Sequence, residues 1–132
     1  MFDAPRERIE LEAPLTGDFQ PVVRLIIGGI AERVDFAFED IDDLQLAVER
    51  LLAEASEQRT IRLAFEIAEG RVRTLVGPLS ESAVADALRD GEVPPGALTL
   101  KRILETVVDS FGVEEVKNSG IFVRLEKVKG IG

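Results

Sequence analysis

Apolar and polar residues alternate from Arg8 to Ala13, with Ile9, Leu11 and Ala13 on one side and Arg8, Glu10 and Glu12 on the other. A period of two predicts a half-buried strand. Pro14, Gly17 and Asp18 break it, and Pro21 stands where a first-turn helix proline belongs. Val22, Leu25, Ile26, Gly29, Ile30 and Val34 then recur at helical spacing. Gly28 and Gly29 cost this helix about 1 kcal/mol each relative to alanine, which predicts close backbone packing there, against a strand or a second subunit. After a short Phe36–Phe38 connection, a second helix carries Ile41, Leu44, Val48, Leu51, Leu52 and Ala55 as its buried stripe. Ile61, Leu63, Phe65 and Ile67 alternate with Arg62, Ala64 and Glu66, Glu69-Gly70 turns, and Val72 to Val76 returns as the second strand of a hairpin that Gly77-Pro78 ends.

Ser80 is placed to cap a short helix through Leu88, and Pro94-Pro95-Gly96 is a hard break. A helix from about Leu98 turns Leu100, Ile103, Leu104, Val107, Val108 and Phe111 inward, with Gly112 as its left-handed stop. Val113 to Lys117, the turn Asn118-Ser119-Gly120 and Ile121 to Val128 read as a closing hairpin, and Lys129 to Gly132 as a frayed tail. The order predicts an α+β two-layer sandwich, a mixed, mostly antiparallel sheet with helices on one face, folded as one domain over residues 1–132.

Composition narrows the chemistry. Cysteine and histidine are both absent, so no disulfide, thiolate nucleophile, Cys-ligated metal or histidine base is available. That usage is compatible with a reducing, cytoplasmic compartment. The net charge of −9 argues against a phosphate-tracking surface and hence against nucleic acid, and it fits a basic protein partner. Arg24 and Glu32-Arg33 bracket the most apolar stretch, so no run reaches membrane-spanning length, and Met1 to Glu12 holds no signal-peptide apolar region.

The second helix contains Asp43-Leu44-Gln45-Leu46-Ala47-Val48-Glu49-Arg50-Leu51-Leu52-Ala53-Glu54-Ala55. This stretch resembles the nucleotide-site helix of the anti-sigma-factor serine kinases, within the GHKL (Bergerat-fold, histidine-kinase-like) ATPases. Members tend to read Asp-Leu-x-Leu-Ala-Val-x-Glu-Ala-x-x-Asn-Ala there. In that family the Glu activates the attacking group and the Asn holds Mg²⁺. This chain keeps the apolar frame and places Arg50 and Glu54 at those two positions. Asp43, Ala47, Arg50 and Glu54 share one helix face, the face that looks into the nucleotide in the family. A guanidinium does not deprotonate, so Arg50 cannot act as a base. Glu54 could offer a metal an oxygen, but a solvated Arg50–Glu54 pair worth a few tenths of a kcal/mol is the simpler reading.

The resemblance runs from about residue 8 to residue 128 and implies the histidine-kinase-like fold. Where the family has Asp-x-Gly-x-Gly, whose Asp meets adenine, this chain reads Val76-Gly77-Pro78-Leu79, with no Asp between Gly70 and Asp86. Where the family opens its last helix with a glycine-rich turn, Pro95-Gly96-Ala97-Leu98-Thr99-Leu100-Lys101-Arg102 stands, with Ala97 in place of a phosphate-facing glycine. Arg50, Glu54, Gly77, Gly96 and Leu98 would therefore line a vestigial nucleotide pocket. No catalytic residue and no metal ligand is assigned, and no cofactor is expected. The acidic pairs Glu39-Asp40 and Asp42-Asp43 suit a helix N-terminus, and Glu114-Glu115 a strand-edge surface.

The resulting expectation is a regulatory protein-binding module resembling an anti-sigma factor kinase without its catalysis, partnered by a sigma factor or an anti-anti-sigma protein. The resemblance also implies a homodimer through the first strand and helix, with Ile9, Leu11, Ile26, Ile27, Gly29 and Ile30 as interface candidates. Two alternatives stand beside it. One is a divergent serine kinase using ATP and Mg²⁺, with Glu49 or Glu54 recruited as base or metal ligand. The other is an unrelated structural or sensory module with a convergent helix pattern.

Overall fold

The computed structural model describes residues 7–15, 17–54, 60–80, 84, 99–118 and 120–130. Strands β1 (Glu7–Pro14), β2 (Thr60–Ala68), β3 (Arg71–Leu79), β4 (Ser110–Val116) and β5 (Gly120–Val128) form one sheet in the order β1-β2-β3-β5-β4. Among the described residues all four pairings are antiparallel, where a mixed, mostly antiparallel sheet was expected. Helices α1 (Gln20–Arg33), α2 (Phe38–Glu54) and α3 (Leu100–Val107) supply the second layer. No helix among the described residues is long and apolar enough to cross a membrane.

Register explains the layering. Ile9, Leu11 and Ala13 stand opposite Phe65, Leu63 and Ile61, so one sheet face is a continuous apolar floor. Val72, Val76, Val123 and Leu125 extend it, and the helix stripes close over it in one cluster. The other face carries Arg8, Glu66, Arg73 and Glu126 in one cross-strand row, with Arg8–Glu66 and Arg73–Glu66 ion pairs at 3.0 Å.

The phase of α1 differs from the expected one. Its buried residues are Val23, Ile27, Ile30 and Ala31, while Val22 and Leu25 face solvent. Nearly every position from Val22 to Ile30 is apolar, so periodicity alone left the stripe free to rotate. Two surface ion pairs flank the buried stripe: Arg24 reaches Glu49 on α2 and Arg33 reaches Glu7 on β1. In α2 the predicted stripe is the buried one at Leu44, Val48, Leu51 and Leu52; Ala55 lies outside the described residues. Gln45 is buried too, because its Nε2 donates to Arg24 O at 2.9 Å.

Strand β3 does not stop at Gly77-Pro78. It continues to Leu79 with a register shift between Val76 and Leu79, across a cis Gly77–Pro78 peptide. Thr99 caps α3, accepting from Arg102 N at 3.2 Å. The helix ends at Val107, so Phe111 and Gly112 belong to β4 and Gly112 is not a helix stop. Asp109 pulls the chain into the sheet: its N–H donates to Glu126 O at 2.9 Å and its Oδ2 accepts from Val128 N at 2.7 Å. The tail is bound as far as Gly130. Lys129 N donates to Gly70 O at 2.7 Å and Gly130 N to Asp40 Oδ2 at 3.2 Å. Of the helix expected after Ser80, only the Val84 N to Ser80 O bond of 3.0 Å falls among the described residues.

Among the described residues one charge sits inside the helix–sheet interface. Lys127 occupies the inward phase of β5 after Val123 and Leu125, and its side chain is 10% exposed. Its Nζ donates to Val107 O at 2.8 Å and Asp43 Oδ2 at 3.2 Å, with Asp40 Oδ1 at 3.8 Å. It thus joins the last turn of α3 to the first turns of α2. Removing one partner of such a buried group leaves the others unpaired. Lys127→Ala is expected to lower unfolding free energy in urea by about 3 kcal/mol. Lys127→Met, which keeps the volume and removes the donor, should still lose more than half of that. A change within about 0.5 kcal/mol, the range of ordinary surface substitutions, would mean the node carries no stability.

Candidate functional site

Helix α2 is the element on which nucleotide chemistry would have to stand. Its apolar frame is part of the core: Leu44, Ala47 and Val48 are fully buried and Leu51 and Leu52 nearly so. The polar positions of the same helix divide. Asp43 is half-buried and tied to Lys127. Arg50 and Glu54 are both exposed, and no Arg50–Glu54 ion pair forms among the described residues. Arg50 therefore pairs with neither Glu54 nor Asp43, and Asp43 serves the Lys127 node instead. Glu49, the nearest carboxylate to the base position, accepts from Arg24 Nη1 at 3.1 Å.

Gly77 does not border α2. It stands opposite Arg62 in the register, which puts it in phase with the sheet face away from the helices. A Cβ there would lie 2.7 Å from the Phe122 ring and 2.8 Å from Ile121 O. Gly77 is thus packed against a side chain of β5 on the outer face of the sheet. Leu79, beyond the register shift, joins the core with Val84 and Leu100. Gly96 and Leu98 lie outside the described residues.

A nucleotide-bound Mg²⁺ asks for oxygen donors. Arg50 brings a fixed positive charge to the position where the family has its base, and Glu54 is a single exposed carboxylate. Among the described residues no three Asp or Glu side chains gather as a ligand group. Two cavities lined by described residues lie elsewhere. One of about 520 Å³ opens on the outer sheet face over Ala64, Leu75, Val116 and Phe122. The other, about 410 Å³, lies between Arg33, Asp35, Glu69 and Lys129 at one end of the sheet.

Of the six interface candidates, five are wholly or partly buried within the chain. Ile27 and Ile30 are buried in the chain's own core, and Ile9, Leu11 and Ile26 are half-buried against it. Gly29 alone of the six is exposed. Sequence reasoning missed Leu25 as the outermost apolar residue of α1, Phe122 as the filler over Gly77, and Lys127 as a core charge. Only Lys127 had a clear signal, a lysine on the inward phase of an alternating strand.

Gly77→Ala is expected to lower stability by about 2 kcal/mol, since backbone as well as ring obstructs the new methyl. Thermal unfolding measures it. A neutral result would mean that Gly77 is free for another role.

Comparison with known proteins places this geometry. No family model matches the chain. It is 31% identical to the serine-protein kinase RsbW of Halalkalibacterium halodurans over 137 aligned residues, covering 92% of this chain and 83% of that protein. Identity to RsbW of Bacillus velezensis is 26%, covering 90% of this chain and 84% of the relative. Identity to RsbW of Staphylococcus epidermidis is 24%, covering 90% and 96%. With coverage near complete on both sides and a five-stranded antiparallel sheet layered by helices, the chain belongs to the RsbW serine-protein kinase family of anti-sigma kinase-like domains.

Proposed function

We propose that this chain is a regulatory protein-binding module of the anti-sigma type that transfers no phosphate. Its partner class is a sigma factor or an anti-anti-sigma protein. The observation that carries the reading is Arg50, an exposed guanidinium where phosphoryl transfer needs a carboxylate to accept a proton. The missing adenine carboxylate supports it. A site that lacks base and nucleotide contacts together has no route to position ATP.

The competing reading is an active, divergent kinase, favoured by the names of the relatives. It needs Glu49 or Glu54 as base or metal ligand. Glu49 is engaged by Arg24, which leaves Glu54 as its better candidate. Incubation with labelled ATP, Mg²⁺ and an anti-anti-sigma protein separates the two. No label is expected on the partner protein. Transfer that disappears in Glu54→Ala would replace the first reading by the second.

The homodimer belongs to the same proposal. Among the described residues the outer edge of β1 has no partner strand, which supports an edge-to-edge contact between copies. Light scattering at micromolar concentration is expected to give twice the chain mass. A monomer would remove the dimer and leave the partner-binding role standing.

A further inference from the structure

The sheet has a second free edge. Among the described residues β4 pairs with β5 alone, so its outer side offers a row of unpaired N–H and C=O groups. Its register against β5 is unbroken from Ser110 to Val116. Bulges and prolines, two usual guards of an edge, are absent from it. Val113 stands opposite the buried Val123, on the helix side, and is itself 48% exposed. Gly112 bears on the same edge. A Cβ there would lie 2.6 Å from Arg124 Nη2. The glycine thus lets the guanidinium lie across β4 on the outer face, where it reaches Glu114 at 2.9 Å.

A second β4 can pair with this one antiparallel about a two-fold axis normal to the sheet. Side chains alternate with a period of two, so facing residues must share a sheet face and the axis must pass through a residue. The sequence then selects which one. An axis through Glu114 or Glu115 sets an acid against its own copy, and one through Gly112 sets Asp109 against Glu115. An axis through Phe111 or Val116 leaves much of the strand unpaired. An axis through Val113 overlaps the whole strand and sets no acid directly against another. Val113 then faces its own copy, Glu114 the partner's Gly112, Glu115 the partner's Phe111 and Val116 the partner's Ser110. Just beyond the strand ends Lys117 faces the partner's Asp109, and both are exposed. Acids pass one another only on diagonals, Glu114 with its own copy and Glu115 with the partner's Asp109. Arg124 over Gly112 and Lys117 stand beside those two crossings.

We infer that two copies of this chain join along β4, antiparallel about Val113, into one continuous sheet. The contact lies at the opposite edge from β1 and does not depend on the homodimer proposed there. Copies joined at both edges form an open row, because each contact is isologous and the two axes do not coincide. A seven-residue ladder without face-to-face packing is smaller than a standard interface, so a dissociation constant of about 100 μM is expected.

The chain has no cysteine, so a single introduced thiol reports the register. Val113→Cys puts the thiol on the two-fold axis, opposite its own copy at a Cα separation of about 5 Å, which a disulfide can span. Val116→Cys puts the two thiols roughly 20 Å apart along the ladder. Under mild oxidation at about 100 μM, Val113→Cys is expected to form cross-linked dimer about tenfold faster than Val116→Cys. A mixture of Val116→Cys and Ser110→Cys chains should cross-link faster than either variant alone. Lys117→Glu, which turns an attraction to the partner's Asp109 into a repulsion, should slow Val113→Cys several-fold.

Equal rates for Val113→Cys and Val116→Cys would overturn the proposal. So would a Val113→Cys rate indifferent to Lys117→Glu. Faster self-cross-linking by Val116→Cys would also overturn it, by placing the axis elsewhere. A dimer through β1 does not imitate the expected result, because β2, β3 and β5 separate that edge from β4. In the unsubstituted chain, labelled with ¹⁵N, the amides of Ser110 to Val116 are expected to shift between dilute and concentrated samples, and unmoved amides would contradict the contact.

Discussion

A single buried ammonium group organises the contact between the two layers. Lys127 projects from β5 into the helix side of the sheet and holds the C-terminal carbonyl of α3 and two aspartates from the first turns of α2. The partners suit it electrostatically, since a helix C-terminus is partially negative. Asp40 and Asp43 near the N-terminus of α2 also complement that helix's own dipole. Asp40 further accepts from Gly130 N, so the chain's last described residue is drawn into the same node. Apolar packing could slide along the sheet, whereas a charge with several fixed acceptors admits one arrangement.

That arrangement separates the frame of α2 from its exposed polar positions. Leu44, Ala47, Val48, Leu51 and Leu52 are core residues, and their replacement would cost stability through cavities or crowding. Arg50 and Glu54 are exposed, and a change there costs the fold little. A kinase-like scaffold can therefore lose the residues that handle ATP while its helix pattern stays recognisable.

Much of the fold was legible in the chain. The alternation of Ile9, Leu11 and Ala13, and of Ile61 to Ile67, placed strands and their buried face, because a period of two has only two phases and charge chose between them. The phase of α1 was not legible: an apolar run from Val22 to Ile30 lacks contrast, and packing against α2 and the sheet, which local sequence does not show, selects the buried face. The ends of elements failed for the same reason. Asp109 and the register shift after Val76 act through β5, which local propensity does not see. At the site, Arg50 and Glu54 were legible as substitutions because a family pattern gave the expected residues. Gly77 was misread, since its reason for being glycine is Phe122, a residue far along the chain.

The most direct test of a kinase-like fold without ATP chemistry is thermal unfolding of the purified chain with and without millimolar Mg-ATP. A ligand at a hundred times its dissociation constant adds about 2.7 kcal/mol, which raises the melting temperature of a domain this size by roughly ten degrees. The account predicts superimposable melting curves. A Mg²⁺-dependent rise of that size would contradict it, because Arg50 and Glu54 would then line a working nucleotide site.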